Sequence, residues 1–132
     1  IKKDPYESGL RKILNFGHTL GHSIESWYLD TQKDLLHGEA IAAGMIMEAK
    51  LALDLGLIEK KYFEQVVNYI DQVFDRITLF PPFDEIKSLL RQDKKNQDST
   101  NMFSLINGPG SCLFDIKIKD NQIADAINFY LN

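Results

Sequence analysis

The three histidines are the residues whose type and spacing most directly suggest chemistry. His18, His22 and His37 lie within twenty residues of one another, in a sequence of 132 residues that contains no other histidine. Neutral imidazole is the commonest protein ligand of zinc and the usual acid/base group near neutral pH. The cluster therefore predicts a metal-dependent active site, or one wall of such a site.

The spacing of the histidines predicts how they come together. His18 and His22 are four residues apart, so that on a helix their side chains share one face. His37 begins a second helical pattern after a polar loop and can fold back toward the first helix. Glu39 resembles the acidic neighbours that orient ligand imidazoles. Spacing alone leaves open a metal site, or core histidines bonded to backbone carbonyls.

Cationic and amide side chains extend this polar stripe. Arg11 and Asn15 are also four residues apart, and they continue along the helix face that carries the first two histidines. A guanidinium there suits a carboxylate or a phosphate. For Arg11 alone, the alternative is a solvated side chain or an ion pair with Glu7. Lys94 and Lys95 offer a second cationic spot, for which spacing by itself indicates only a solvated turn.

The elements that must position these residues predict a mainly α fold, a multi-helix domain with one small β-hairpin. Apolar residues recur at helical spacing in five segments, which lie at about residues 10–28, 37–55, 59–74, 83–91 and 120–130. Short strands are predicted at residues 102–106 and 111–118, with a strong turn signal between them. Gly56 is expected just beyond the end of the second helix, and Asp120 or Asn121 is expected to cap the last one.

Small residues mark the first two helices. Gly17 and Gly21 share a helix face, and each costs about 1 kcal/mol relative to alanine. Such glycines indicate the close approach of a ligand or of another backbone, and the sequence leaves both open. The second helix is rich in alanine, methionine and glycine, which predicts a helix buried nearly all round.

The bulk composition excludes several classes of protein. The net charge is −4 and there is no long basic run, which argues against a nucleic-acid partner. No apolar run approaches the length of a membrane span. Cys112 is the only cysteine, expected to be a buried, inert thiol in a reducing compartment. The chain begins with Ile1 rather than Met, and we expect it to be part of a longer protein.

Three motifs, taken in order, strongly resemble the 3-dehydroquinate synthase family. They are RKILNFGHTLGHSIE at residues 11–25, LHGEAIAAGM at residues 36–45 and DKK at residues 93–95. The resemblance extends over nearly the whole chain. It implies that residues 1–132 form the helical metal- and substrate-binding domain, the C-terminal half of a two-domain α/β + α enzyme, with the N-terminal NAD-binding domain absent.

The resemblance implies an NAD- and metal-dependent carbon–oxygen lyase of the shikimate pathway. Such an enzyme converts 3-deoxy-D-arabino-heptulosonate 7-phosphate to 3-dehydroquinate and phosphate, by transient oxidation, elimination, reduction, ring opening and aldol closure. The cofactors would be zinc, or another divalent metal such as cobalt, and NAD bound mainly by the missing domain. The resemblance also implies a cytoplasmic homodimer in full-length form, no membrane partner, and a fragment that is inactive alone.

Site roles follow from the resemblance, residue by residue. His18 and His37 would be metal ligands, and the family's third ligand, a glutamate, lies upstream of this segment. His22 would be an acid/base group beside the metal. Glu7 matches a family position with an acid/base role.

The resemblance likewise implies the substrate contacts. Arg11 and Asn15 would hold anionic groups of the sugar phosphate. One lysine of the DKK motif would also reach the substrate, and the choice between Lys94 and Lys95 stays open.

Three other functions compete with this interpretation. Another sugar-phosphate cyclase, such as a synthase of deoxy-scyllo-inosose or epi-valiolone, shares the fold and the metal, but tends to depart at the positions of Asn15 and His22. A metal-dependent alcohol or glycerol dehydrogenase would not need Arg11, Asn15 or the lysine pair. A non-catalytic helical module predicts histidines that bind no metal and tolerate alanine.

Overall fold

The computed structural model describes residues 18–32, 37–91, 101–108 and 111–132. Over these residues the protein is mainly helical with one antiparallel hairpin, which confirms the predicted fold class. The start of the first predicted helix, residues 10–17, lies outside the described residues. In chain order the elements are α1 (His18–Asp30), α2 (His37–Asp54), α3 (Lys60–Val73), α4 (Phe83–Arg91), β1 (Asn101–Gly108), β2 (Ser111–Ile118) and α5 (Asp120–Leu131).

Helix α2 is the centre of the domain. Helices α1, α3 and α5 and strand β1 all pack against it. Every residue from 40 to 49 is buried, which confirms the prediction of a helix covered nearly all round. Its many alanines allow the neighbouring elements to approach closely, so that one helix supports most of the core.

Helix α2 ends as predicted at Gly56. This glycine has φ +76°, a left-handed conformation that costs glycine little because it has no Cβ. The N–H of Gly56 donates to the carbonyl of Leu53 at 3.0 Å, and that of Leu57 donates to the carbonyl of Ala52 at 2.9 Å. This pair of bonds is a Schellman motif, which satisfies two of the last helical carbonyls.

Helices α1 and α2 cross at Gly21. A Cβ atom built on Gly21 would lie 2.8 Å from Cδ1 of Ile41 and 3.1 Å from the Ala40 carbonyl oxygen. Contacts of that length do not fit a larger side chain without movement of α2. Of the two explanations that the sequence left open for this glycine, the structure supports close approach of a backbone. Gly17 lies outside the described residues.

Helix α4 runs from Phe83 to Arg91, as predicted, and packs against α1. Its apolar face buries Ile86 and Leu90 completely or nearly so. The indole Nε1 of Trp27, on α1, donates a hydrogen bond of 3.1 Å to Oε1 of Glu85. Helix α1 is therefore held between α2 and α4.

The hairpin and α5 complete the domain. Strand β1 pairs with β2 in an antiparallel register that places Asn101 opposite Ile118 and Gly108 opposite Ser111. The prediction that Asp120 or Asn121 caps α5 is wrong: Lys119 is the N-cap, and its N–H donates to the Gln122 side chain at 2.8 Å.

Two further predictions concern exposure. Cys112 is half-buried against the core rather than fully buried. Across the described ranges, none of the helices combines the length and the apolar composition that crossing a bilayer requires.

Candidate metal and substrate site

Helix α1 carries the histidine pair. Its first described residue is His18, whose side chain lies outside the description, and His22 follows one turn later with an exposed side chain. The helical spacing confirms that the two residues share a face. Glu25 lies three residues beyond His22 and seven beyond His18, which places it on that face as well.

His37, the first residue of α2, folds back onto α1. Its Nδ1 atom lies 2.5 Å from Oε2 of Glu25. The contact confirms that the second histidine motif returns to the first helix. The carboxylate that meets the imidazole is Glu25, whereas the sequence indicated Glu39.

The donor chemistry of this pair fits a metal ligand. The His37 side chain is 61% exposed, and Glu25 engages only one of its two ring nitrogens. The remaining nitrogen, Nε2, is the kind of donor that zinc and cobalt accept. In residues 18–32, 37–91, 101–108 and 111–132, no three histidine, cysteine, aspartate or glutamate side chains converge on one point. A complete ligand set therefore needs groups beyond those that the structure describes.

Glu48 is a buried carboxyl group on α2 that contacts the backbone of α1. Its side chain is completely buried, and Oε2 accepts a hydrogen bond of 3.0 Å from the backbone N–H of Leu20. Leu20 lies midway between His18 and His22, near the described start of α1. The bond therefore joins α2 directly to the backbone of α1.

The environment of Glu48 favours its neutral form. Burial raises the pKa of the Glu48 carboxyl well above its ordinary value of 4.5, and the hydrogen bond from Leu20 offsets this only in part. Among the described residues, its other oxygen, Oε1, has no hydrogen-bond partner. Sequence reasoning missed this residue, although a lone glutamate inside a run of alanine, methionine and isoleucine was a usable signal.

A polar cluster ties together the residues that flank the lysine motif. Arg91, at the end of α4, donates to the side-chain oxygen of Asn101 at the start of β1. Both residues also bond to Asp120, with Arg91 Nη2 3.2 Å and Asn101 Nδ2 2.9 Å from Oδ1. The hydrogen bond from Asn101 and the Arg91 guanidinium lower the pKa of the Asp120 carboxyl.

Five predicted site residues cannot be located by the structure. Glu7, Arg11, Asn15, Lys94 and Lys95 lie outside the described residues. Their roles stay predictions of the sequence.

Several proteins with similar sequences are named 3-dehydroquinate synthase. The chain is 33% identical over 131 residues to a 3-dehydroquinate synthase of Parabacteroides distasonis, covering 98% of this chain and 37% of that protein. It is 41% identical to a 3-dehydroquinate synthase of Thermoanaerobacter sp., covering 93% and 34%. A bifunctional 3-dehydroquinate synthase/phosphatase of Fusobacterium nucleatum is 37% identical, covering 98% and 19%. The chain thus spans between a fifth and two fifths of these relatives.

Solved structures share the fold. A 2-deoxy-scyllo-inosose synthase complexed with carbaglucose-6-phosphate, NAD+ and Co2+ superposes with a TM-score of 0.66 at 29% identity, over 85% of this chain and 33% of that one. A 2-epi-5-epi-valiolone synthase of Streptomyces hygroscopicus with NAD+ and Zn2+ bound gives 0.67 at 23% identity, over 88% and 32%, and supports the fold alone.

The family assignment rests on the part of the sequence that contains all the motifs. The profile described as 3-dehydroquinate synthase C-terminal matches residues 1–96, which include both histidine motifs and the lysine pair. The chain belongs to the 3-dehydroquinate synthase C-terminal family.

Proposed function

We propose that this chain is the metal- and substrate-binding domain of a 3-dehydroquinate synthase. The reaction is the conversion of 3-deoxy-D-arabino-heptulosonate 7-phosphate to 3-dehydroquinate with release of phosphate. The observation that carries the proposal is the 2.5 Å contact between His37 and Glu25, because it joins the two histidine motifs that the family match contains. The shikimate pathway, cytoplasmic location and homodimeric full-length form are parts of the same proposal.

The proposed metal ligands are His18 and His37, with a glutamate from outside this segment as the third. The contact with Glu25 holds His37 against α1, the helix that carries His18, and Nε2 of His37 stays available. A bound zinc or cobalt ion would supply Lewis-acid stabilisation of the negative charge that develops on the oxidised substrate. NAD, held mainly outside this chain, would supply the transient oxidation and the later reduction.

The other side chains of the stripe would bind the substrate and move protons. His22 is one turn from His18 and exposed, which suits an acid/base group that must reach the substrate. Glu7 is proposed as a second acid/base group. Arg11 and Asn15 would hold anionic groups of the substrate, and Lys94 or Lys95 would add a positive charge near the phosphate.

The chain alone should be inactive. It spans 34–37% of the length of the Thermoanaerobacter and Parabacteroides synthases. An active site that needs a further ligand and an NAD-binding domain is incomplete without the remaining part. Two protein ligands hold zinc more weakly than three, since each missing ligand removes a metal–protein bond.

A second candidate is a related sugar-phosphate cyclase. The observation in its favour is the likeness at 29% identity to the 2-deoxy-scyllo-inosose synthase complexed with carbaglucose-6-phosphate. The motifs at Asn15 and His22, and the names of the sequence relatives, favour the dehydroquinate reaction. The two candidates differ in substrate, so one assay separates them.

The test is phosphate release by a chimera in which this chain replaces the matching segment of the Thermoanaerobacter sp. synthase. Zinc and NAD are supplied, and the two substrates are 3-deoxy-D-arabino-heptulosonate 7-phosphate and glucose 6-phosphate. We expect turnover of the first substrate only. His18→Ala should abolish it, and His22→Ala should slow it by about 10²- to 10⁴-fold, the usual contribution of an acid/base group.

Controls make a negative result informative. Circular dichroism and NAD binding report whether the chimera folds, and the unmodified synthase reports whether the assay works. Lys61→Ala, on the exposed surface of α3, is the matched control for Lys94→Ala and Lys95→Ala. A folded, NAD-binding chimera that releases no phosphate from either sugar would refute the proposal, and turnover of glucose 6-phosphate would favour the second candidate.

A further inference from the structure

The pair formed by Glu25 and His37 has a consequence for the chemistry of the imidazole. Oε2 of Glu25 lies 2.5 Å from Nδ1 of His37, within hydrogen-bond distance. The two residues are twelve positions apart and belong to different helices, α1 and α2. The contact therefore depends on how the helices pack and fixes the ring relative to α1.

Stability alone does not account for this pair. The side chains are 61% and 27% exposed. Ion pairs that water reaches contribute little to folding, because solvent screens the attraction and because both side chains lose freedom.

The partner atom decides which ring nitrogen carries the proton. A neutral imidazole has one N–H donor and one nitrogen with a free lone pair, and an ionised carboxylate only accepts hydrogen bonds. The nitrogen that faces Glu25 must then carry the proton, which leaves the lone pair on Nε2. Metal ions bind the lone pair of an imidazole nitrogen.

We infer that Glu25 is a positioning residue, which holds His37 in the tautomer protonated at Nδ1 and so presents Nε2 as the metal-binding nitrogen. This inference rests on the proposed function, in which His37 is a metal ligand. Glu25 shares its helix face with His18 and His22, so the ring is held on the side of α1 that carries the other imidazoles. Glu25 itself touches neither substrate nor metal in this arrangement.

The tautomer can be measured on the metal-free chain. Two-bond ¹H–¹⁵N correlation spectra at about pH 8 distinguish a protonated ring nitrogen from an unprotonated one, and three histidines give few signals to assign. We expect His37 to carry its proton on Nδ1 in the unaltered chain. Glu25→Ala should shift the population toward Nε2–H. Glu25→Gln, which keeps an acceptor oxygen, should stay closer to the unaltered chain than Glu25→Ala does.

The matched control is Glu39→Ala. Glu39 is an acidic residue two positions from His37 along α2, and circular dichroism checks that each variant keeps its helical content. We expect Glu39→Ala to leave the tautomer unchanged. The inference is overturned if Glu25→Ala leaves the tautomer unchanged, or if Glu39→Ala changes it as much.

Zinc titration of the same samples tests whether Nε2 of His37 is the nitrogen that binds metal. Zinc should perturb Nε2 of His37 while Nδ1 keeps its proton, and Glu25→Ala should weaken zinc binding by about 10- to 100-fold. The inference would be overturned if zinc perturbed Nδ1 of His37, or if zinc changed no signal of His37. It would also be overturned if Glu25→Ala bound zinc with the same affinity as the unaltered chain. These signals need no substrate or NAD, so they are independent of whether the chimera releases phosphate.

Discussion

Replacing Glu48 by glutamine should change the pH dependence of stability in a way that a surface carboxyl cannot. Glu48 is completely buried, and its Oε2 accepts the N–H of Leu20 at 3.0 Å. Glutamine has nearly the same shape and keeps an oxygen that can accept this bond. The variant therefore removes the ionisable group and leaves the contact between α1 and α2 in place.

The direction in which stability changes with pH follows from the raised pKa of Glu48. Burial raises the pKa of Glu48 well above 4.5, so the folded chain holds this proton at pH values where the unfolded chain has released it. Stability then falls with rising pH, from about pH 4.5 up to the raised pKa, because unfolding releases a proton in that window. One proton corresponds to a slope of up to about 1.4 kcal/mol per pH unit. Below pH 4.5 both states hold the proton and the effect vanishes.

The assay is urea unfolding at closely spaced pH values from about 3.5 to 8. We expect Glu48→Gln to lose this slope, so that its stability relative to the unaltered chain increases steadily with pH. Glu48→Ala removes the acceptor that the buried N–H of Leu20 has on α2. It should cost about 1–3 kcal/mol below pH 4.5, where the ionisation effect is absent.

Glu64→Gln is the matched control, since Glu64 is exposed on α3. It should leave the pH profile unchanged. Parallel profiles for the unaltered chain and Glu48→Gln would refute the reasoning, because they would show that Glu48 ionises equally easily in the folded and unfolded states.

Three other substitutions test the packing around the site by urea unfolding. Asp120→Asn should destabilise the chain slightly at neutral pH, by less than about 1 kcal/mol because Asp120 is 38% exposed. Hydrogen bonds from Asn101 and Arg91 lower the pKa of Asp120. The loss of stability should therefore disappear as the pH falls below about 3.8 toward this lowered pKa. A loss that stays constant with pH would contradict the argument. Gly21→Ala should lower the free energy of unfolding by about 1–3 kcal/mol through overpacking, partly offset by about 1 kcal/mol from the higher helix propensity of alanine. A net increase in stability would be evidence against a close approach of the helices at Gly21. Tyr130→Phe removes an oxygen that accepts a buried backbone N–H at 2.8 Å and should cost about 1–3 kcal/mol, whereas no loss would mean that water replaces it.

The helices could be predicted from the sequence because their signals are local. Helix α4 has the predicted bounds, Phe83–Arg91, since Pro81 and Pro82 precede it and its apolar spacing is regular. The end of α2 follows from Gly56, the residue type that adopts a left-handed conformation at least cost. The cap of α5 was not predictable in this way, because Asp120 instead bonds to Arg91 and Asn101 from other elements.

The partner of His37 could not be predicted from neighbours in the sequence. Glu39 is two residues from His37, and residues two apart on a helix do not face each other. Glu25 meets the ring because α1 and α2 pack together, which chain proximity does not reveal. A usable sequence signal was present, since Glu25 lies seven residues after His18 and so continues the polar stripe by two turns. The same holds for Glu48. The apolar residues around it in α2 indicate its burial, but its bond to Leu20 depends on how α1 and α2 pack.

Two polar contacts join α1 to α2 near the point where the helices cross. The helices approach each other closely at Gly21 and Ile41. Glu25 and His37 each lie four residues from that point, about 6 Å along their helices, and pair on one side of it. The bond between Leu20 and Glu48 joins the residue next to Gly21 on α1 to a glutamate that follows Ile41 by two turns on α2. We expect the two contacts together to restrain rotation of α1 about Gly21 more than either contact alone. Because the proposed metal ligands lie on these two helices, such a rotation would change the distance between them, so the buried Glu48 and the partly exposed Glu25 act on the same geometry.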